Sequence, residues 1–119
     1  MRHIDGFVLP VPKKNLKAYF TMAQKAGKIL REHGALEYRE CVGDDLNVKM
    51  GLPFPRLANL KAGETVVFSW IVYKSRAHRN RVNDKVIKDP RMNGICDAKS
   101  MPFDMKRMSF GGFSVLVSI

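Results

Sequence analysis

A chain of 119 residues with 45% hydrophobic and 27% charged side chains has room for one ordinary core and is too apolar to be disordered as a whole. Its 21 Lys and Arg against 11 Asp and Glu give a net charge of +10, a field that attracts phosphates, acidic metabolites and anionic surfaces. Two cysteines, Cys41 and Cys96, neither in a CxxC pair, and three scattered histidines exclude a disulfide framework and a zinc site.

The opening MRHIDGFVLPVPKK breaks its apolar run with Asp5 and prolines, so it does not read as a signal peptide. No run of about 20 apolar residues is present to span a membrane. A reducing cytoplasm is the expected home, with no membrane partner and no cofactor.

Residues 4–11, IDGFVLPV, predict a first strand closed by Pro12. Alternation puts His3 and Asp5 on one side of it, the spacing of a base and the carboxylate that orients it. A helix follows: Leu16, Phe20, Ala23, Gly27 and Leu30 recur at steps of three and four, widened by Tyr19, Ala26 and Ile29. Lys14, Lys17, Lys25 and Lys28 take the opposite side, and Gly34 ends the helix. Residues 35–42, ALEYRECV, predict a second strand. Arg39 and Cys41 share one of its faces, where a guanidinium would favour a thiolate, although a small buried cysteine is the commoner case.

A loop of about twenty residues follows, with Gly51, Pro53 and Pro55 arguing against a regular element in its middle and a short strand possible near 57–60. Residues 64–74, ETVVFSWIVYK, form the strongest predicted strand, and Ser75 caps a second helix over 76–88 with His78, Val82 and Val86 as its inner stripe. Residues 93–106 carry mixed signals, and 107–117 predict a last strand in which Gly111-Gly112 marks a bulge or a close backbone approach. The order βαββαβ predicts an α+β, ferredoxin-like single domain over 1–119: a four-stranded antiparallel sheet with both helices on one face.

The third strand is apolar on both faces, with Val66, Phe68, Trp70 and Val72 on one and Val67, Ile71 and Tyr73 on the other. The fourth behaves likewise, with Phe113, Val115 and Val117 opposite Phe110 and Leu116. Such strands are covered on both sides. Helices supply one cover, and a second copy of the chain is the expected other, giving a homodimer through the sheet as a dimeric α/β barrel.

The stretches VVFSWIVYKS (66–75), RNRVNDKVIKDPRM (79–92) and MPFDMKRMSFGGF (101–113), with DGFVLPVPKK and HGALEYRECVGDD before them, resemble the YbaA-like family of conserved bacterial proteins over essentially the whole chain. The resemblance implies a dimeric α/β barrel, a cytoplasmic bacterial protein and a domain of unknown function, with no established catalytic residues to carry over. The sequence departs from the family pattern in the proline-rich 50–56 loop and in a tail, SVLVSI, without the acidic residue that follows GGF there.

The candidate ligand-binding residues are Trp70, Arg79, Asn83, Arg91, Asp104 and Arg107. Arg79 and Asn83 are neighbours on one helix face, and arginine forks suit carboxylate or phosphate. Asp89 or Asp104 paired with Arg91 or Arg107 would instead pin the 89–107 segment. Trp70 serves either core packing or a stacking wall. The expected function is binding of a small, possibly anionic, molecule between sheet and helices, or cofactor-independent catalysis there. The other reading, an RNA-binding module, needs a cation–Gly–aromatic–Gly–aromatic run on the third strand, which ETVVFSWIVYK lacks. Pairing through the sheet would also hide that surface, so nucleic acid is not an expected partner.

Overall fold

The structure is a computed structural model that describes residues 1–95, 97 and 101–119; Cys96 and part of the mixed 93–106 segment lie outside the described residues. The elements are β1 (His3–Pro12), α1 (Leu16–Glu32), β2 (Glu37–Val42), α2 (Phe54–Leu57), β3 (Glu64–Tyr73), α3 (Arg76–Lys88) and β4 (Ser109–Ser114). The sheet order is β2-β3-β1-β4 with every neighbouring pair antiparallel, so each long helix joins two strands that have a third between them. This is the split βαβ arrangement expected from the element order.

The register assigns the faces. Leu9 lies opposite Val67, Asp5 opposite Ile71 and His3 opposite Tyr73, so odd-numbered residues of β1 and β3 point toward α1 and α3. Two clusters fill that interface: Leu9, Val11, Val67, Tyr19 and Ala23 under the first half of α1, and Ile71, Tyr73, Leu30, Val82 and Val86 where α1 meets α3. Fully buried aliphatic side chains such as Leu9 and Val82 contribute about 1.5–3 kcal/mol each by leaving water.

Helix ends follow from their sequences. Gly34 takes φ +118°, its N–H reaches the Arg31 carbonyl, and the Ala35 N–H reaches the Leu30 carbonyl at 3.0 Å, closing α1 in a Schellman motif. At the start of α3 the Ser75 hydroxyl accepts from the His78 N–H at 3.1 Å. His33, Glu32, Asp89 and Arg91 tie the two helix ends together: His33 Nε2 lies 2.8 Å from Asp89, and Arg91 bridges Asp89 and Glu32. Arg91 above all, then His33, holds the Asp89 carboxyl well below the usual carboxylate range.

Several expectations need correction. Phe20 is not on the inner stripe of α1 but 63% exposed; the buried line runs through Tyr19, Ala23, Gly27 and Leu30, one residue or about 100° around the helix. The prolines of the long loop do not prevent a helix, nor does a strand form near 57–60: Pro55 sits in the first turn of α2, where a missing N–H costs nothing. The outer sheet face is also partly covered by the chain itself. Phe54 of α2 packs its ring 6.2 Å from that of Phe68, and Val66 and Val72 on that face are only 2% and 6% exposed. Beyond this cover Phe68 and Phe113 remain 42% and 62% exposed. The last strand ends at Ser114, leaving Leu116, Val117 and Ile119 exposed.

Candidate functional site: a buried carboxylate between histidine and arginine

Asp5 stands on the helix-facing side of the central strand β1, and its side chain is 3% exposed. A carboxylate there is costly unless it is paired. His3, two residues earlier and so on the same face, places Nε2 3.1 Å from Asp5 Oδ1. Arg79, one turn into α3, donates from a terminal guanidinium nitrogen to the same oxygen at 3.2 Å. The three side chains form a layer at the end of the core, against the fully buried Tyr73, whose hydroxyl donates to Asn83 Oδ1 at 3.3 Å. Burial, then the Asp5 charge, pushes the Tyr73 phenol well above its ordinary range, so it stays a neutral donor.

Gly112 of β4 lies opposite Asp5 and makes this layer possible. A Cβ at that position would come within 2.7 Å of His3 Nε2 and 3.3 Å of Asp5 Oδ1. The doubled glycine is therefore a close backbone approach, one of its two expected meanings.

A cavity of about 480 Å³ opens beside the cluster, lined by Met1, His3, Arg76, Arg79, Gly112 and Ser114. Two guanidiniums and an imidazole are among its lining side chains, and the Asp5 carboxylate pairs with His3 and Arg79 of that lining. Among the described residues the Arg79 Nε is buried without a hydrogen-bond partner. Such a site can take an oxyanion through the arginine forks and exchange a proton through an imidazole held by a carboxylate. Among the described residues no group of three or more His, Cys, Asp or Glu is placed to hold a metal ion.

The structure does not gather the six sequence candidates into one place. Arg79 lines the cavity, and Asn83 stands one turn further along α3 against Tyr73. Arg91 belongs to the exposed bridge between helix ends, and Asp104 caps the short turn at 105–107 by accepting from the Lys106 N–H. Arg107 takes neither acid considered for it; it forks onto Glu64 at 2.6 and 2.9 Å and holds that carboxyl at about 2. Trp70 lies on the outer sheet face, its ring 5.5 Å from Phe68 and its Nε1 3.4 Å from Glu37. His78 accepts from the Lys74 N–H through Nδ1, and burial followed by Lys74, Arg81 and Lys85 lowers its pKa. Cys41 is exposed, on the outer face. Arg76, Gly112 and Ser114 were not among the sequence candidates; the glycine pair was a signal for Gly112, and Arg76 stood out only as one of the cations along the second predicted helix.

Among the described residues no helix is long and apolar enough to cross a membrane. Residues 2–105 match a family described as a protein of unknown function, DUF1428. The uncharacterized protein YbaA of Escherichia coli K12 is 41% identical over 117 residues, 98% of each chain, and its namesake in Shigella flexneri matches equally. Among solved structures, an uncharacterized NIPSNAP domain protein from Burkholderia xenovorans superposes with a TM-score of 0.60 at 12% identity, covering 96% of this chain and 94% of that one. A dimeric ferredoxin-like protein from an uncultured marine organism gives 0.58 at 8% identity, covering 100% and 98%. These structural likenesses bear out the ferredoxin-like fold, and the sequence match bears out the YbaA-like resemblance. The chain therefore belongs to the DUF1428 family.

Proposed function

We propose that the protein binds a small oxyanion-bearing molecule, a carboxylate or phosphate, in the cavity between sheet and α3. The supporting observation is the buried Asp5–His3–Arg79 cluster beside a cavity with an excess of positive charge and an unpartnered guanidinium N–H. Arg76 and Arg79 receive the anion, Asp5 fixes Arg79 and His3, and His3 is the group able to move a proton at the bound ligand. Cofactor-independent acid–base chemistry is the reaction class this set would serve.

The working unit in this proposal is a homodimer paired through the outer sheet face in a reducing cytoplasm. Exposed Phe68 and Phe113 on that face, and the dimeric state named for one solved structure of the same fold, support the pairing. The exposed Cys41 thiol suits the compartment. RNA binding gains little from the geometry: Phe68, Trp70 and Phe113 share the outer face, whereas the lysines and arginines of α1 and α3 lie on the far side of the sheet.

Calorimetric titration at low ionic strength with malonate, succinate, pyruvate and inorganic phosphate tests the reading. At least one should bind saturably at one site per chain, and Arg76→Gln should weaken it about 10-fold, the worth of one charge-assisted hydrogen bond. Arg76 is exposed, so the variant should keep its fold. Absence of saturable binding across the panel, or equal affinity in Arg76→Gln, would overturn the assignment.

A further inference from the structure

A second cavity lies at the opposite edge of the sheet. It is a groove of about 860 Å³ between α1 and the edge strand β2, within the range of small-molecule sites. Its floor is apolar: Ala23 and Gly27 of α1, Val67 of β3 and Val42 of β2, with the exposed Phe20 ring as a wall.

The inner end is polar and ordered. Glu40 receives the Tyr19 hydroxyl on Oε1 at 2.7 Å and the Tyr38 hydroxyl on Oε2. Burial, then Glu40, pushes the Tyr19 phenol far up, so it remains protonated and donating. Each Glu40 oxygen keeps a second lone pair for another donor. Gly27 shapes this end, because a Cβ there would sit 2.7 Å from the Tyr38 ring. Glycine inside a helix is a local loss that a sequence tolerates where geometry requires it, and such exceptions concentrate at functional positions.

The outer rim carries Lys17, Lys28 and Arg31, all exposed and none in an ion pair among the described residues. The neighbouring carboxylates are engaged elsewhere: Glu32 with Arg91, and Glu37 with Arg39. Apolar floor, cationic rim and hydrogen-bond acceptor at the inner end define a ligand by complementarity.

We propose that this groove binds a small amphipathic acid, with its apolar body on Ala23, Gly27 and Val67, its anionic head at Lys28 and Arg31, and, where it has one, a hydroxyl or amine donor toward Glu40. The site is separate from the Arg79 cavity, which has different walls and sits under the other sheet edge.

The test uses 8-anilinonaphthalene-1-sulfonate as a fluorescent amphipathic anion, with octanoate as competitor. The native chain should bind the dye saturably and release it to octanoate. The double variant Lys28→Glu, Arg31→Glu should raise both dissociation constants at least 10-fold, and Gln24→Trp should fill the groove and abolish competition. All three positions are exposed, so unchanged circular dichroism is expected. Phe113→Asp on the outer face should leave octanoate affinity unchanged, whereas dye release to octanoate that is lost in Arg76→Gln but kept in the rim and groove variants would place the carboxylate in the other cavity and overturn the proposal here without touching the anion site. Dye binding that survives the rim and groove variants but disappears in Phe113→Asp would place the dye on the outer face and overturn the proposal. So would octanoate affinity unaltered in all of them.

Discussion

Replacing Asp5 with alanine is expected to cost about 3–5 kcal/mol of folding stability, because it strands a largely buried guanidinium without its counter-charge. Arg79 is only 17% exposed at the side chain and already has its Nε unsatisfied, so it has little room to recover the lost partner. A domain of this size has roughly 5–15 kcal/mol in total, which makes the loss a large share of it. Urea unfolding monitored by circular dichroism measures the effect. The double replacement Asp5→Leu, Arg79→Met removes both charges and should recover most of the loss, since exchanging a buried pair for apolar groups is near neutral. A cost below about 1 kcal/mol for Asp5→Ala would mean that water, not Asp5, satisfies Arg79.

The second large effect concerns assembly. Phe113→Asp is expected to weaken the proposed dimer at least 100-fold, which corresponds to about 3 kcal/mol and lies in the range of central aromatic anchors. Phe113 lies on the outer face over Gly6, is 62% exposed in the single chain, and shares that face with Phe68 and Trp70. A charge there would have to be desolvated for two copies to meet. Sedimentation equilibrium should find the native chain at twice its 13.5 kDa at micromolar concentration, and the variant at the single-chain mass. A native chain that stays monomeric at tens of micromolar would contradict the pairing.

The fold was legible in the sequence where periodicity and hydrogen-bonding demand agreed. The doubly apolar run at 64–74, the Ser75 cap and the Gly34 stop each carry a local physical cause, and the four strands and two long helices lie within about two or three residues of their expected ends, whereas α2 was not expected. Phe20 was misplaced because a stripe read from sequence has an uncertain phase: Tyr19 and Phe20 are one step apart, and only packing against Val67 and Leu9 decides which goes inside. Pro53 and Pro55 argue against a helix by composition, yet favour its first turn by position, and composition alone does not reveal position.

The site was legible only in pieces. Strand alternation placed His3 beside Asp5, and helical spacing placed Arg79 beside Asn83. What joined the first pair to Arg79 was the β1–β3 register and the seat of α3 on the sheet, a contact across 74 residues. No local pattern encodes such a meeting. Glu40, Tyr19 and Tyr38 went unrecognised for the same reason, although Tyr38 and Glu40 share a strand face and Tyr19 widened the inner stripe.

The most direct measurement of the central claim is the nuclear magnetic resonance spectrum of the His3 imidazole and the arginine Nε–H groups during titration with the tightest-binding carboxylate or phosphate. The expected result is a saturable change confined to His3, Arg76, Arg79 and their neighbours Gly112 and Ser114, with the Arg79 Nε–H moving downfield as it gains an acceptor. Changes that leave these groups untouched and fall on the exposed lysines of α1 or the outer sheet face would contradict an anion site at Arg79.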